Sequence, residues 1–180
     1  ELTFEMNVIN NYENTLENIS ILGRTMFKGN KDVNTLQDLG TTMDIPLSSK
    51  ITTSGVPTEN VKIYYSTNGD ATKDITDVNN NWSTEVTDYS SIKSYLIVLE
   101  NYVMKCGEKL NFSYKAKAPA NLDYNNNAYE IYAVYFKNNK DTGAINDKEI
   151  ATKIGLATGK EAVIDGKIEA TIGEGASVKS

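Results

Sequence analysis

A polar segment in the middle of the chain carries the oxygen side chains that could bind a cation. Between Asp77 and Asp88 these side chains fall at several of the ligand positions of a calcium loop. Trp82 stands where the sharp turn of such a loop needs glycine, and no helical pattern flanks the segment, so an EF-hand is not predicted. One interpretation is a looser calcium site formed by Asp70, Asp74 and Asp77; the other is a solvated polar loop without a cofactor.

Aromatic residues are the second group that could bind a ligand. The chain has one Trp and 11 Tyr, and these side chains form sugar-stacking platforms and protein-binding surfaces. Trp82, Tyr64 and Tyr65 are the candidate ligand-binding residues. The alternative is structural, because most of the tyrosines fall within predicted strands and a Trp after a polar loop is often a core anchor.

Catalytic side chains of the common kinds are missing or isolated. The chain contains no His, which removes the usual acid–base group and metal ligand. The single Cys106 lies in a turn with no partner for a redox motif, and no phosphate-binding glycine loop or nucleophile elbow occurs. The sequence therefore predicts no enzyme.

Net charge and hydropathy exclude two classes of partner. The formal charge of −6 and the scattered lysines are unsuited to phosphate neutralisation, so no nucleic acid is expected. No apolar run is long enough to span a bilayer, and no basic and apolar leader is present, so this fragment is expected to carry no membrane insertion.

The elements that position these residues are short strands. Apolar and polar residues alternate with period two, and Asn- and Gly-rich turns follow about every ten residues. The pattern predicts an all-β, immunoglobulin-like antiparallel β-sandwich over residues 1–156. Residues 137–143 are predicted to form a turn and residues 151–156 a last short strand. Residues 157–180 are predicted to be an appended C-terminal β-hairpin turning at Asp165-Gly166 and a linker, or the start of a further module.

A family resemblance rests on the order of four short segments. They are Val8-Ile-Asn10, Ile63-Tyr-Tyr-Ser-Thr-Asn68, Asn81-Trp82 and Cys106-Gly-Glu-Lys-Leu-Asn-Phe-Ser-Tyr114. In this order they resemble the immunoglobulin-like conserved repeat modules of Gram-positive bacterial cell-surface proteins, over about residues 2–156. Cys106 departs from the pattern, since the corresponding turn usually begins with Pro.

The resemblance implies a non-enzymatic, extracellular stalk or adhesion module of a large cell-wall-anchored surface protein. Its implied partners are neighbouring modules of the same chain and a host matrix protein or glycan. Such modules often carry a Lys–Asn isopeptide crosslink, but no Lys lies in the first strand here. The alternative function is a carbohydrate-binding module that uses Trp82 and exposed Tyr residues.

Overall fold

Two β-sheets pack face to face in the computed structural model, which describes residues 1–120, 125–140, 143–157, 165–172 and 178–179. The strands are β1 (Leu2–Asn10), β2 (Leu16–Arg24), β3 (Thr52–Ser54), β4 (Val61–Ser66), β5 (Ser94–Leu99), β6 (Lys109–Ala116), β7 (Asn127–Lys140), β8 (Gly143–Ala157), β9 (Asp165–Ile172) and β10 (Val178–Lys179). Three single-turn 3-10 helices occur at Thr58–Asn60, Val78–Asn80 and Tyr89–Ser91. The protein is thus an all-β sandwich.

The first sheet has the strand order β10-β9-β1-β6-β3, and the second has the order β4-β5-β2-β7-β8. The paired strands β1 and β6 lie opposite the group β2, β7 and β8, as strands B and E lie opposite C, F and G in immunoglobulin domains. All pairings are antiparallel except that of β9 with β1, which is parallel. The C-terminal strand β9 therefore occupies the place beside β1 that an N-terminal strand holds in immunoglobulin domains.

Alternation along each strand builds the core between the sheets. Every second side chain of a strand points to the same face, and on β1 the inward positions hold Phe4, Met6 and Val8, all buried. Leu110, Phe112 and Tyr114 on β6 face the second sheet in the same way, and the inward residues of β2, β5 and β7 complete the cluster. Burial of apolar side chains between the two inner faces therefore forms the main core.

The structure confirms the sandwich and most of the predicted strands, with three corrections. The predicted turn over residues 137–143 is wrong, because β7 continues to Lys140. The predicted short strand over residues 151–156 belongs to the 15-residue strand β8. The hairpin turn at Asp165-Gly166 is also wrong, since these two residues begin β9 and lie opposite Thr3 and Phe4. Within the described residues, no helix is long and apolar enough to span a membrane.

Candidate functional site

A buried carboxyl group joins the two sheets inside the core. Glu130 lies on β7 at an inward position and is fully buried. The hydroxyl groups of Tyr95 on β5 and Tyr114 on β6 each donate a hydrogen bond to its carboxyl oxygens. Because Tyr114 belongs to the first sheet and the other two residues to the second, this Tyr–Glu–Tyr cluster ties the sheets together through polar contacts.

A glycine allows the cluster to form. Tyr95 and Glu130 stand on strands that flank β2, so the ring of Tyr95 has to cross β2 to reach the carboxyl group. It crosses at Gly23, where a Cβ atom would lie 2.0 Å from Cζ of the ring. Any side chain at this position would collide with Tyr95, so the absence of a Cβ is a requirement of the packing.

Burial controls the ionisation of the cluster. Removal from water raises the pKa of Glu130 to about 7, and the hydrogen bonds from Tyr114 and Tyr95 oppose this rise. The pKa values of both tyrosines lie well above their ordinary value, first because of burial and next because of the Glu130 charge. The hydroxyls therefore stay protonated and act as donors at neutral pH.

The buried acid faces tyrosines and not lysine. Every lysine whose side chain the structure describes is at least partly exposed, so none of these lysines lies in the core with Glu130. A Lys–Asn crosslink beside this acid would need a lysine from outside the described side chains. The arrangement observed here supplies hydrogen bonds where such a crosslink would supply a covalent bond.

Two of the three candidate ligand-binding aromatics share a face, and the third does not. Trp82 and Tyr64 are half-buried and pack on the outer face of the second sheet, against a small cluster formed by Leu22, Leu96, Ala133 and Tyr135. Tyr65 points the opposite way into the core, where it is only 5% exposed and its hydroxyl accepts a hydrogen bond from the Ile51 amide. Its side chain is therefore withdrawn from any surface platform.

Trp82 anchors the long loop over residues 67–83. Its indole Nε1 donates to the carbonyl of Thr72 at 2.8 Å, so one edge of the ring is already engaged. Asn80 is buried within the same loop, where its amide nitrogen donates to both oxygens of Thr72 and to the carbonyl of Asp74. These hydrogen bonds close the loop on itself, and the packing of Trp82 attaches it to the sheet.

The three candidate calcium ligands each have different partners. Asp74 accepts hydrogen bonds from the amide and hydroxyl of Thr76, which lower its pKa. Asp77 accepts from the Asn79 amide at the start of a 3-10 helix. Asp70 lies near the buried Arg24. Burial lowers the pKa of Arg24 to about 10, and the negative charge of Asp70 opposes this change. Among the described residues, no three acidic, Cys or His side chains come together as a metal site.

Sequence reasoning missed Glu130, although a signal existed. The residue shares its parity with Tyr132, Val134 and Phe136 on one strand, so the alternation places an acid on an otherwise apolar face. An acid in that position requires hydrogen-bond donors from neighbouring strands. Their identity depends on strand order and register, which the sequence does not specify.

Comparisons of the chain with protein-family models, with curated proteins and with solved structures find no match. The functional argument therefore rests on the geometry of the molecule.

Proposed function

We propose that this chain is a load-bearing stalk or adhesion module of a bacterial cell-surface protein, extracellular and without enzymatic activity. The observation that carries the proposal is the parallel pairing of β1 with β9, from Thr3 opposite Asp165 to Asn10 opposite Ile172. Tension that enters β1 at its N-terminal end and leaves β9 at its C-terminal end pulls these neighbouring strands in opposite directions.

This geometry resists force because the hydrogen bonds between the two strands are loaded together. An antiparallel pair pulled at one end opens one bond at a time, whereas sliding parallel strands must break all of them at once. Within the described residues, the short strand β10 pairs with β9 at Val178 and Lys179, so it would peel away first and transfer the load to β9. The Tyr–Glu–Tyr cluster supports the same role, since it ties the loaded sheet to its partner.

Unfolding of single molecules under force tests this proposal. The amide and carbonyl of Asn10 bond toward β6, so by alternation the amide of Glu5 points toward β9. Glu5→Pro removes this donor and places a ring against β9, and we expect it to lower the unfolding force of a tandem array. Glu5→Ala keeps the amide and serves as the control. Equal unfolding forces for folded wild type and Glu5→Pro would rule out the β1–β9 pair as the load-bearing contact.

A second candidate function is carbohydrate binding, which the shared outer-face position of Trp82 and Tyr64 favours. Half-exposed aromatic rings on the face of a sheet can stack against sugar rings. The test is quenching of Trp82 fluorescence across a glycan panel, with Tyr64→Ala as the variant because Trp82 also anchors a loop. Absence of quenching by every glycan would eliminate this function.

A further inference from the structure

Two loops stand on the outer face of the second sheet and form what we call the paired-loop surface, residues 31–38 and 67–83. Val33 of the first loop and Trp82 of the second pack against the same apolar cluster. Lys73 of the second loop also lies 4.4 Å from the ring centroid of Tyr135 in that cluster. The two loops are therefore neighbours that pack on the same apolar cluster.

Leu36, in the first loop, has a conformation that leucine rarely adopts. Its φ is 60°, in the left-handed region, and its side chain is 62% exposed. The other non-glycine residues with positive φ in the described chain are all asparagine, at positions 18, 81, 101 and 125. Asparagine tolerates this region and leucine does not, so the backbone of Leu36 costs stability, and its exposed side chain contributes little burial to offset that cost.

The fold does not require leucine at this position. The loop is closed by the bridge between Lys31 and Asp38 and by hydrogen bonds in which Asp32 participates. The Asp32 carboxylate accepts from the amides of Asn34 and Thr35, and its carbonyl accepts from the amide of Leu36. None of these contacts uses the side chain of residue 36, and its one hydrogen bond is made by the backbone amide, so asparagine would keep them with less strain.

The second loop also exposes apolar side chains. Val78 is 88% exposed and Ile75 is 49% exposed, while the hydrogen bonds of Asn80 and Trp82 fix the backbone that carries them. Single exposed apolar residues are common on protein surfaces. Here three of them lie on two loops that pack against the same cluster, one of them on a strained backbone, and loops closed by internal hydrogen bonds lose little entropy on binding.

We propose that the paired-loop surface binds a protein partner that presents a segment of apolar side chains flanked by basic ones, and that Leu36 contacts this segment. The charge of the surface argues for basic side chains, because the two loops carry five aspartates against Lys31 and Lys73. The same charge argues against a second copy of this chain, whose net charge is −6. This inference rests on the adhesion part of the proposed function.

Selection from a phage-displayed library of random dodecapeptides tests the surface without a known partner. We expect peptides with apolar residues flanked by Lys or Arg, binding wild type at least tenfold more tightly than Leu36→Asn. Their binding should weaken when NaCl rises from about 50 mM to about 500 mM, because the contacts between the flanking Lys or Arg residues and the loop aspartates are made by exposed charges. Val103→Asn is the matched control, an apolar residue 42% exposed outside both loops.

The outcomes separate this inference from the adhesion role itself. Peptides that bind wild type and Leu36→Asn equally would overturn the paired-loop surface and leave adhesion to another face. Failure to enrich any peptide would overturn the paired-loop surface as a protein-binding site and leave the proposed function to the force and glycan experiments. Thermal unfolding of Leu36→Asn provides a further check, since we expect a melting temperature no lower than that of wild type. A lower melting temperature would make Leu36 a structural residue and contradict the proposal.

Discussion

At the scale of single residues, the close approach of Tyr95 to Gly23 gives the sharpest prediction. Gly23→Ala places a methyl group inside the tyrosine ring, so the ring has to leave its position and its bond to Glu130. We expect a loss of about 2–3 kcal/mol in the free energy of unfolding, measured by urea denaturation, as for other overpacked cores. If Gly23→Ala unfolds at the wild-type urea concentration, the ring does not cross β2 at this point.

A double-mutant cycle supplies the control for that experiment. Tyr95→Ala removes the ring that the new methyl group would meet, so Gly23→Ala should cost much less in this background. The difference between the two costs is the energy of the contact between residues 23 and 95. Additive effects of the two substitutions would show that Gly23 is needed for another reason.

The same residues show what the sequence could reveal about the site. Parity along β7 marks Glu130 as an inward-facing acid, and this much can be read directly from the chain. Its partners Tyr95 and Tyr114 could not be chosen from among 11 tyrosines, because the choice depends on which strands are neighbours. The side on which Tyr65 lies could not be predicted either. Alternation predicts that Tyr64 and Tyr65 face opposite sides of the sheet, but it does not say which side is the core.

At the scale of elements, the loop over residues 67–83 depends on one buried side chain. Asn80→Ala removes the buried amide that bonds to Thr72 and Asp74, so the hydrogen bonds that close the loop around it are lost. We expect a destabilisation of about 1–3 kcal/mol and faster amide hydrogen exchange confined to this loop. Asn79→Ala is the matched control, because Asn79 adjoins Asn80 and its side chain is exposed. Unchanged exchange in Asn80→Ala would contradict a loop organised around this residue.

Elements with a strong period-two pattern were predictable, and those defined by distant pairing were not. β1, β4 and β6 appear where the alternation places them, because burial of one face requires that pattern. Asp165-Gly166 is a common hairpin dipeptide, but a turn forms only where the flanking segments pair with each other. Here the segment pairs with β1 instead, more than 150 residues earlier in the chain, and no local signal encodes that contact.

At the scale of the whole molecule, the buried acid makes stability depend on pH. In the unfolded chain Glu130 loses its proton near its ordinary pKa of 4.5, whereas in the folded protein it keeps the proton up to about pH 7. Between these values the folded state binds more protons, so the free energy of unfolding falls as pH rises. The shift corresponds to roughly 3 kcal/mol lost across this window, with no further change from this group at higher pH.

Comparison of wild type with Glu130→Gln isolates the contribution of Glu130 to the pH dependence of stability. The amide of Gln has nearly the same shape as the carboxyl group and does not titrate. The free energy of unfolding of wild type should therefore fall relative to that of Glu130→Gln between pH 4.5 and 7. Tyr95, Tyr114 and Tyr132 are the titratable groups coupled to Glu130, and burial raises the pKa of all three, so they remain neutral in this window. Glu5→Gln, an exposed position on β1, is the control. Parallel pH curves for wild type and Glu130→Gln would mean that the carboxyl group is ionised inside the sandwich, and the link between the sheets would then be a charged one.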